Sequence, residues 1–419
     1  MNSHYATSSY LNSFSGKTVS LDDLCSSITD CPHSTPKWSD EGAIVIRNFN
    51  IKNGELDLSS PSFTDLKSFK ERVKRATPEA GDIIITREAP MGEVCVIPDG
   101  LECCLGQRMV LLKVDQKKIS SQYLLFAMQS EFVQKQIKKS DKTGSIVSNL
   151  CLPDLRALEI PLLHNTSGIA KTLKAITDKI KLNNRINAEL EATAKTLYDY
   201  WFVQFDFPDA NGKPYKSSGG KMVYNPKLKR EIPEEWSEKT LSQIANITMG
   251  QSPEGSSYNE EGVGTIFYQG STDFGWLFPS TRQYTTAPSR MAKKGDILLS
   301  VRAPVGDMNI ANTDCCIGRG LAALNSKTGS DGFLFYVMKY FKKIFDRRNS
   351  EGTTFGSITK SDLHSLTLAF PTADLLKKYD DVVTNYNKMI FERSLENREL
   401  ISLRDWLLPM LMNGQVTVR

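Results

Sequence analysis

The stretch GDIIITREAPMGE at residues 81–93 occurs a second time, as GDILLSVRAPVGD, at residues 295–307. The shift between these copies is 214 positions, and it is 212 for the next matching pair, ECCLG at 102–106 and DCCIG at 314–318. A period of this length is far above the roughly 20–50 residues of solenoid and propeller repeats. The chain of 419 residues is therefore interpreted as a duplicated domain with small insertions and deletions in its loops.

Each copy divides into a globular part and a helical part. The predicted globules span 16–164 and 235–371, where short β-rich runs such as AIVI at 43–46 are separated by Gly, Pro, Ser and Asn. Each globule ends in an apolar pattern with helical spacing. We therefore predict an α+β fold built from two similar, mostly-β globules.

Residues 165–206 and 372–416 each carry an apolar seam with alternating spacings of four and three, which is the heptad pattern of a coiled coil. Two similar seams in one chain need a common partner, so the helices are predicted to pair as an antiparallel coiled coil with pseudo-twofold symmetry. The alternative is that each helix covers its own globule. Residues 207–234, rich in Pro, Gly, Ser and Lys, are interpreted as a linker. The residues predicted to pair the helices are Ile180, Asn187, Leu190, Ile390, Asn397 and Leu400.

Composition restricts the class of protein. No apolar run approaches the roughly 20 residues that a membrane span needs, and the first residues lack a signal-peptide pattern. The eight cysteines form no CxxC pair and the four histidines are widely spaced, so no metal site is expected and the thiols are predicted to be reduced and mostly buried. These features predict a cytoplasmic protein.

Three segments resemble a known family. The sequence DKIKLNNRINAELEATAKTLYDYWFVQFDFP at 178–208 closely resembles the central helical region of type I restriction–modification specificity subunits. DCPHSTPKW at 30–38 resembles a frequent entry to their target recognition domains, and SLRDWLLPMLMNGQV at 402–416 resembles their distal helical end. The resemblance extends over roughly residues 16–416.

This resemblance implies a function as well as a fold. In the family, two target recognition domains each read half of a split site in double-stranded DNA. The helices act as a spacer and as the docking surface for two methylation subunits, which recruit the restriction and motor subunits. The recognition domains resemble the small DNA-reading domain of TaqI-type adenine methyltransferases. Methyl donor and ATP would be bound by the partner subunits, so no cofactor is expected here.

Catalytic motifs are missing from the sequence. Asn225-Pro226-Lys227 is not the Asn/Asp-Pro-Pro-aromatic motif of adenine methyltransferases, and no Gly-x4-Gly-Lys-Ser/Thr phosphate loop occurs. We therefore predict a non-catalytic DNA-binding subunit. Two alternatives stay open: a fused methyltransferase, which would bind a methyl donor by itself, and a scaffold that binds the methylation subunit without selecting DNA.

Basic residues cluster locally although the formal net charge is only +4. One cluster includes Arg72, and another includes Lys339 and leads into the loop at 352–357. Lysine and arginine beside small hydroxyl residues suit phosphate oxygens, although an ordinary solvated helix face is the alternative. The phosphate-contact candidates are Lys67, Lys70, Lys74, Arg75, Lys139, Lys142, Ser145, Lys342, Lys343 and Arg347.

Base reading needs hydrogen-bonding side chains on loops that reach a groove. Candidates occur at matching places in the two copies but differ in kind, as Arg87-Glu88 against Val301-Arg302 shows. Such a difference is what two readers of different half-sites require, although plain turn or surface residues are the alternative for each. The base-contact candidates are Ser34, Thr35, Arg47, Asn48, Arg87, Glu88, Gln251, Ser252, Tyr268, Gln269 and Arg302.

Overall fold

The computed structural model describes residue 14 and residues 16–140, 149–350 and 357–418, without the side chains of 344 and 347–350. The described residues form two compact units. Unit 1 comprises Met1–Leu182 with Asn397–Arg419, and unit 2 comprises Asn183–Glu396. Each unit therefore contains one globule and parts of both long helices.

Unit 1 is built from short strands and five short helices within its described part. The strands are β1 (Thr18–Ser20), β2 (Cys25–Asp30), β3 (Trp38–Ser39), β4 (Ala43–Ile46), β5 (Ile51–Lys52), β6 (Glu55–Leu56), β7 (Ser62–Thr64), β8 (Ile83–Thr86), β9 (Val94–Val96), β10 (Cys103–Leu105), β11 (Met109–Val114) and β12 (Glu159–Pro161). The helices are α1 (Leu21–Leu24), α2 (Leu66–Arg72), α3 (Ser121–Gln129), α4 (Glu131–Lys139) and α5 (Leu152–Arg156).

Two four-stranded sheets in unit 1 have the orders β2-β11-β8-β9 and β10-β4-β7-β3. Strand β8 is buried on both faces, which explains why its first three residues are all isoleucine and do not alternate with polar residues. Ile83 and Ile85 pack in the core beneath α3, whereas Ile84 packs in a second core with Ile46 and Leu105 of the other sheet. The first sheet is therefore the middle layer between helices and the second sheet.

The first long helix, α6 (Thr166–Tyr198), continues as a π-helical turn over Asp199–Val203. The strands of unit 2 are β13 (Met222–Asn225), β14 (Arg230–Pro233), β15 (Ser237–Thr240), β16 (Ala245–Met249), β17 (Tyr258–Asn259), β18 (Thr265–Tyr268), β19 (Tyr284–Thr285), β20 (Met291–Ala292), β21 (Ile297–Ser300), β22 (Met308–Ile310), β23 (Cys315–Ile317), β24 (Leu321–Ser326) and β25 (Thr367–Phe370). Its helices are α7 (Leu241–Ile244), α8 (Asp331–Ser350), α9 (Lys360–Ser365) and the second long helix, α10 (Ala373–Met412).

Unit 2 repeats the topology of unit 1. Its two larger sheets have the orders β16-β24-β21-β22 and β17-β19-β18-β23-β20, and within these two sheets only β20 has no counterpart among the described strands of unit 1. The layers repeat as well, since Ile297 and Leu299 face the helical core while Leu298 packs with Tyr268 and Ile317. The predicted α+β duplication is confirmed.

The long helices pair antiparallel within each unit. In unit 1, Ile169 and Leu173 near the start of α6 share a core with Leu411 near the end of α10. In unit 2, the Tyr379 hydroxyl near the start of α10 donates to the Ala194 carbonyl, near the end of α6, at 3.2 Å. All six residues predicted to pair the helices are buried or half-buried.

Polar side chains interrupt both seams at buried positions. Asn187 is 1% exposed and its Nδ2 lies 3.5 Å from Ser394 Oγ, and Asn183 Nδ2 donates to Glu396 Oε2 at 2.7 Å. Asn397 is also buried. Such residues cost stability in an apolar seam but specify its register.

The alternative that each helix covers its own globule is also partly realised, since the seam residues of α6 join the globular cores.

Residues 207–234, interpreted as a linker, contain the hairpin β13-β14, which the sequence did not predict. Ile232 of this hairpin is buried and Met222 packs against the core of unit 2. The hairpin has too few apolar residues to predict strands from the sequence. Ile232 and Met222 are nevertheless enough to pack it against the core of unit 2.

The cysteines occupy matching core positions. Cys103, Cys104, Cys315 and Cys316 lie in β10 and β23 and are buried. Burial raises the pKa of Cys103 and Cys315 to about 12, so these thiols are protonated at neutral pH. Cys25 and Cys151 are only half-buried.

Candidate nucleic-acid interface

Four loops meet at one end of the sheets in unit 1, and we call this surface loop edge 1. They follow or precede core strands, so their ends are fixed by the buried sheets. Hydrogen bonds tie them together: Cys31 N to Met109 O (3.0 Å), Gly106 N to Ile46 O (2.7 Å), Arg87 N to Arg108 O (2.8 Å) and Asn48 Nδ2 to Ala89 O (2.6 Å). Loop edge 1 consists of residues 31–37, 47–50, 87–92 and 106–108.

Ser34 and Thr35 are exposed on loop edge 1, and their loop is held from beneath by Arg72. Arg72 is 6% exposed, and its guanidinium donates to the carbonyls of Leu105 (2.8 Å), Ser34 (2.9 Å) and Pro32 (3.2 Å). The prediction that Arg72 belongs to a surface cluster that binds phosphate is therefore wrong. Burial disfavours the charged form and lowers the pKa of the Arg72 guanidinium. Through its hydrogen bonds to these carbonyls, Arg72 positions the loop.

Arg47 lies between two exposed aromatic rings. Its guanidinium carbon is 4.9 Å from the Trp38 ring centroid and 4.6 Å from that of Phe49. Trp38 is 48% and Phe49 53% exposed. The sequence did not predict a role for either ring, because an isolated aromatic residue beside a strand is usually interpreted as part of the hydrophobic core. Asn48, a predicted base contact, is half-buried and bonded to the Ala89 carbonyl.

The adjacent pair Arg87 and Glu88 has two different environments. The Arg87 side chain is only 12% exposed and is engaged by Asp30 (Nη1–Oδ2, 2.8 Å), Asn149 and the Leu150 carbonyl. A base contact by Arg87 is inconsistent with this burial. Glu88 instead reaches the surface, where its Oε2 pairs with Arg108 Nε at 3.1 Å. Arg108, which is 53% exposed at its side chain, was not predicted.

Unit 2 has the same arrangement, loop edge 2. Its loops are joined by Gly250 N to Leu321 O (2.9 Å), Gly318 N to Tyr268 O (2.8 Å), Gly320 N to Gln269 O (3.1 Å) and Val301 N to Gly320 O (2.9 Å). An open cleft of about 360 Å³ lies within it, lined by Ser271, Thr272, Arg302 and Asp307 among others. Ser271 and Thr272 were not predicted as candidates. Loop edge 2 consists of residues 250–254, 269–273, 301–306 and 318–320.

The candidates of unit 2 differ in accessibility. Arg302, Gln251 and Gln269 are exposed, and Gln269 Nε2 donates to Ser252 Oγ at 2.9 Å. Tyr268 is only 1% exposed, so a base contact by its side chain is wrong for this conformation. The Tyr268 ring lies in the core between the sheets. Its position at the end of β18 gave no indication of this burial.

The turns that contain Pro90 and Pro304 each end in a glycine with a left-handed backbone conformation. Gly92 and Gly306 have φ values of +88° and +90°, which favour glycine. A Cβ at Gly92 would lie 3.1 Å from Ile137. These turns therefore shape the loop edges.

Most phosphate candidates that the structure describes are exposed. Lys67, Lys70, Lys74, Arg75, Lys139 and Lys343 are exposed, and Lys74 pairs with Glu71. Lys342 is half-buried and its Nζ lies 3.4 Å from Asp307 and 3.1 Å from Asp346, which offset its charge. Lys339 pairs with Glu191 of α6 and is therefore not a surface contact. Lys142, Ser145 and the Arg347 side chain lie outside the described residues.

Within the described ranges, no group of three or more His, Cys, Asp or Glu residues is placed to hold a metal ion. In the same part of the chain, none of the helices combines the length and the hydropathy that crossing a bilayer requires.

The sequence is similar to a family profile and to curated relatives of one kind. The profile of the type I restriction modification DNA specificity domain matches residues 16–192 and 233–390. The MjaX type I restriction enzyme specificity subunit of Methanocaldococcus jannaschii is 31% identical over 390 residues, covering 90% of this chain and 88% of the relative. The MjaIX subunit of that organism is 25% identical over 414 residues, covering 93% and 87%.

The fold comparison agrees. The crystal structure of a type I restriction-modification system S subunit from M. genitalium has a TM-score of 0.62 at 17% identity, and the match covers 94% of this chain and 95% of that one. Two profile matches, one in each copy of the duplication, span most of the sequence. The chain therefore belongs to the family of type I restriction–modification specificity subunits.

Proposed function

We propose that this chain binds double-stranded DNA and selects the site, with each unit reading one half of a bipartite sequence. The observation that carries this proposal is the recurrence of one loop edge in both units with different side chains. Arg302 stands where the other copy has Glu88, and Gln269 stands where it has Arg47. A common scaffold with different hydrogen-bonding groups suits two half-sites of different sequence.

The long helices would dock two methylation subunits and set the distance between the half-sites. The restriction and motor subunits would join through that complex. Two apolar side chains on one face of α10 support a docking role, since Leu403 and Trp406 are three positions apart and are 44% and 48% exposed. Exposed apolar side chains that lie close together are typical of interaction surfaces.

Catalysis would belong to the partners. Methyl donor and ATP would be bound by the methylation and motor subunits, and this chain would neither methylate nor cleave DNA. The test is methylome sequencing of cells that carry this chain with its methylation subunit. We expect one bipartite methylated motif, and none when either protein is expressed alone. Methyl transfer by this purified chain would contradict the proposal, as would methylation without sequence preference.

A further inference from the structure

Arg47 has an unusual setting among the candidates of loop edge 1. Its backbone is fixed, because Ile46 before it is fully buried and pairs with Leu105 in the parallel strands β4 and β10. The Arg47 amide also donates to Asn50 Oδ1 at 2.9 Å. The side chain therefore leaves the sheet from a rigid point.

Two aromatic rings contact the guanidinium of Arg47. Trp38 and Phe49 each lie within 5 Å of its carbon, close enough for cation–π attraction. Within the part of the chain that the structure describes, no carboxylate forms an ion pair with Arg47. Cation–π contact uses the charge of the group and not its N–H donors, which stay available for a ligand.

A fixed guanidinium edge matches one base better than the others. Guanine presents O6 and N7 in the major groove, two acceptors that a guanidinium contacts together. A phosphate contact would not require such fixation. In unit 2 the equivalent position is Gln269, since Gly318 N donates to Tyr268 O as Gly106 N donates to Ile46 O. Glutamine pairs in the same two-bond manner with adenine.

We propose that Arg47, held between Trp38 and Phe49, reads a guanine in the half-site of unit 1, and that the two aromatic residues position it. This inference rests on the proposed function. Arg47 is the base-contacting residue, and the rings determine its specificity by fixing its orientation. Loss of the two-bond contact is expected to reduce discrimination for that guanine by about 5- to 150-fold.

The test uses the full chain in complex with its methylation subunit. The wild-type methylome gives the motif, and each guanine of the unit 1 half-site is then replaced by 7-deazaguanine, which lacks N7. We expect one such position to weaken wild-type binding and to have no effect on the Arg47→Gln variant. That variant should lose its preference for guanine at this position alone and keep the other half-site, which also shows that it is folded.

Two further variants test the rings. Trp38→Leu should reduce the preference for guanine at the same position, and Trp38→Phe should restore it, because a second ring can stack on the guanidinium. Arg75→Gln is the matched control, since Arg75 is an exposed arginine of the same unit. It should weaken binding to all sequences equally.

The inference is overturned if Arg47→Gln behaves as Arg75→Gln does, or if the half-site of unit 1 contains no guanine. It is also overturned if every 7-deazaguanine is tolerated by the wild-type complex. A wild-type complex that binds and methylates DNA without any sequence preference would instead refute the proposed function itself.

Discussion

Loop edges 1 and 2 share a backbone and differ in charge. In unit 1, Glu88 pairs with Arg108 at 3.1 Å, whereas the equivalent residues of unit 2 are Arg302 and Gly320. The backbone bond beneath them is the same, at 2.8 Å in unit 1 and 2.9 Å in unit 2. Buried positions such as Ile83 and its counterpart in β21 keep their apolar character. The duplication has therefore kept the core and changed the side chains that face outward.

Exchange of a whole globule gives the largest expected effect. Replacing residues 16–164 with the same region of a relative should replace one half of the methylated motif and leave the other half unchanged. The reason is that loop edge 1 lies entirely within this range. Methylome sequencing measures both halves at once, and a change in both would contradict the division of reading between the units.

A buried arginine tests how loop edge 1 is held. Arg72→Leu removes a donor from three carbonyls, one of them in the buried strand β10. We expect a loss of about 1–3 kcal/mol in unfolding free energy. Hydrogen exchange should report it at the amides of residues 33–35 and not in unit 2. The exposed Arg75→Leu serves as control and should change stability by less than about 0.5 kcal/mol.

This arginine also illustrates where sequence reasoning succeeds and fails. The repeated motifs and heptad seams were sufficient for the duplication and the paired helices, because buried positions recur with fixed spacing. The role of Arg72 depends on carbonyls more than 30 positions away, and the Trp38–Arg47–Phe49 stack depends on loops brought together by the sheets. Neither arrangement leaves a periodic signal.

The charge difference between the loop edges can be tested directly. Arg302→Ala should relax one position of the unit 2 half-site by about 1–3 kcal/mol, because a side chain that contacts two acceptors is lost. Glu88→Ala should affect one position of the other half-site, since it frees Arg108 from its ion pair. Binding to a panel of single-base variants of the site measures both. If Arg302→Ala weakens binding to all duplexes equally, Arg302 contacts a phosphate and not a base.

The smallest effect is expected from the lysines of α8. Lys343 is exposed, and we expect Lys343→Ala to weaken binding to all sequences alike and to reduce the slope of log K against log salt by about 0.9. Lys342 is already paired with Asp307 and Asp346, so its substitution by alanine should change the slope less. A phosphate contact at Lys342 would have to break these pairs and would gain little, because the carboxylates left behind would repel the DNA. Titrations with specific and unrelated duplexes over a series of salt concentrations give both slopes. If Lys342→Ala reduces the slope more than Lys343→Ala does, the ion pairs do not persist in the complex, and Lys342 is the residue that contacts the backbone.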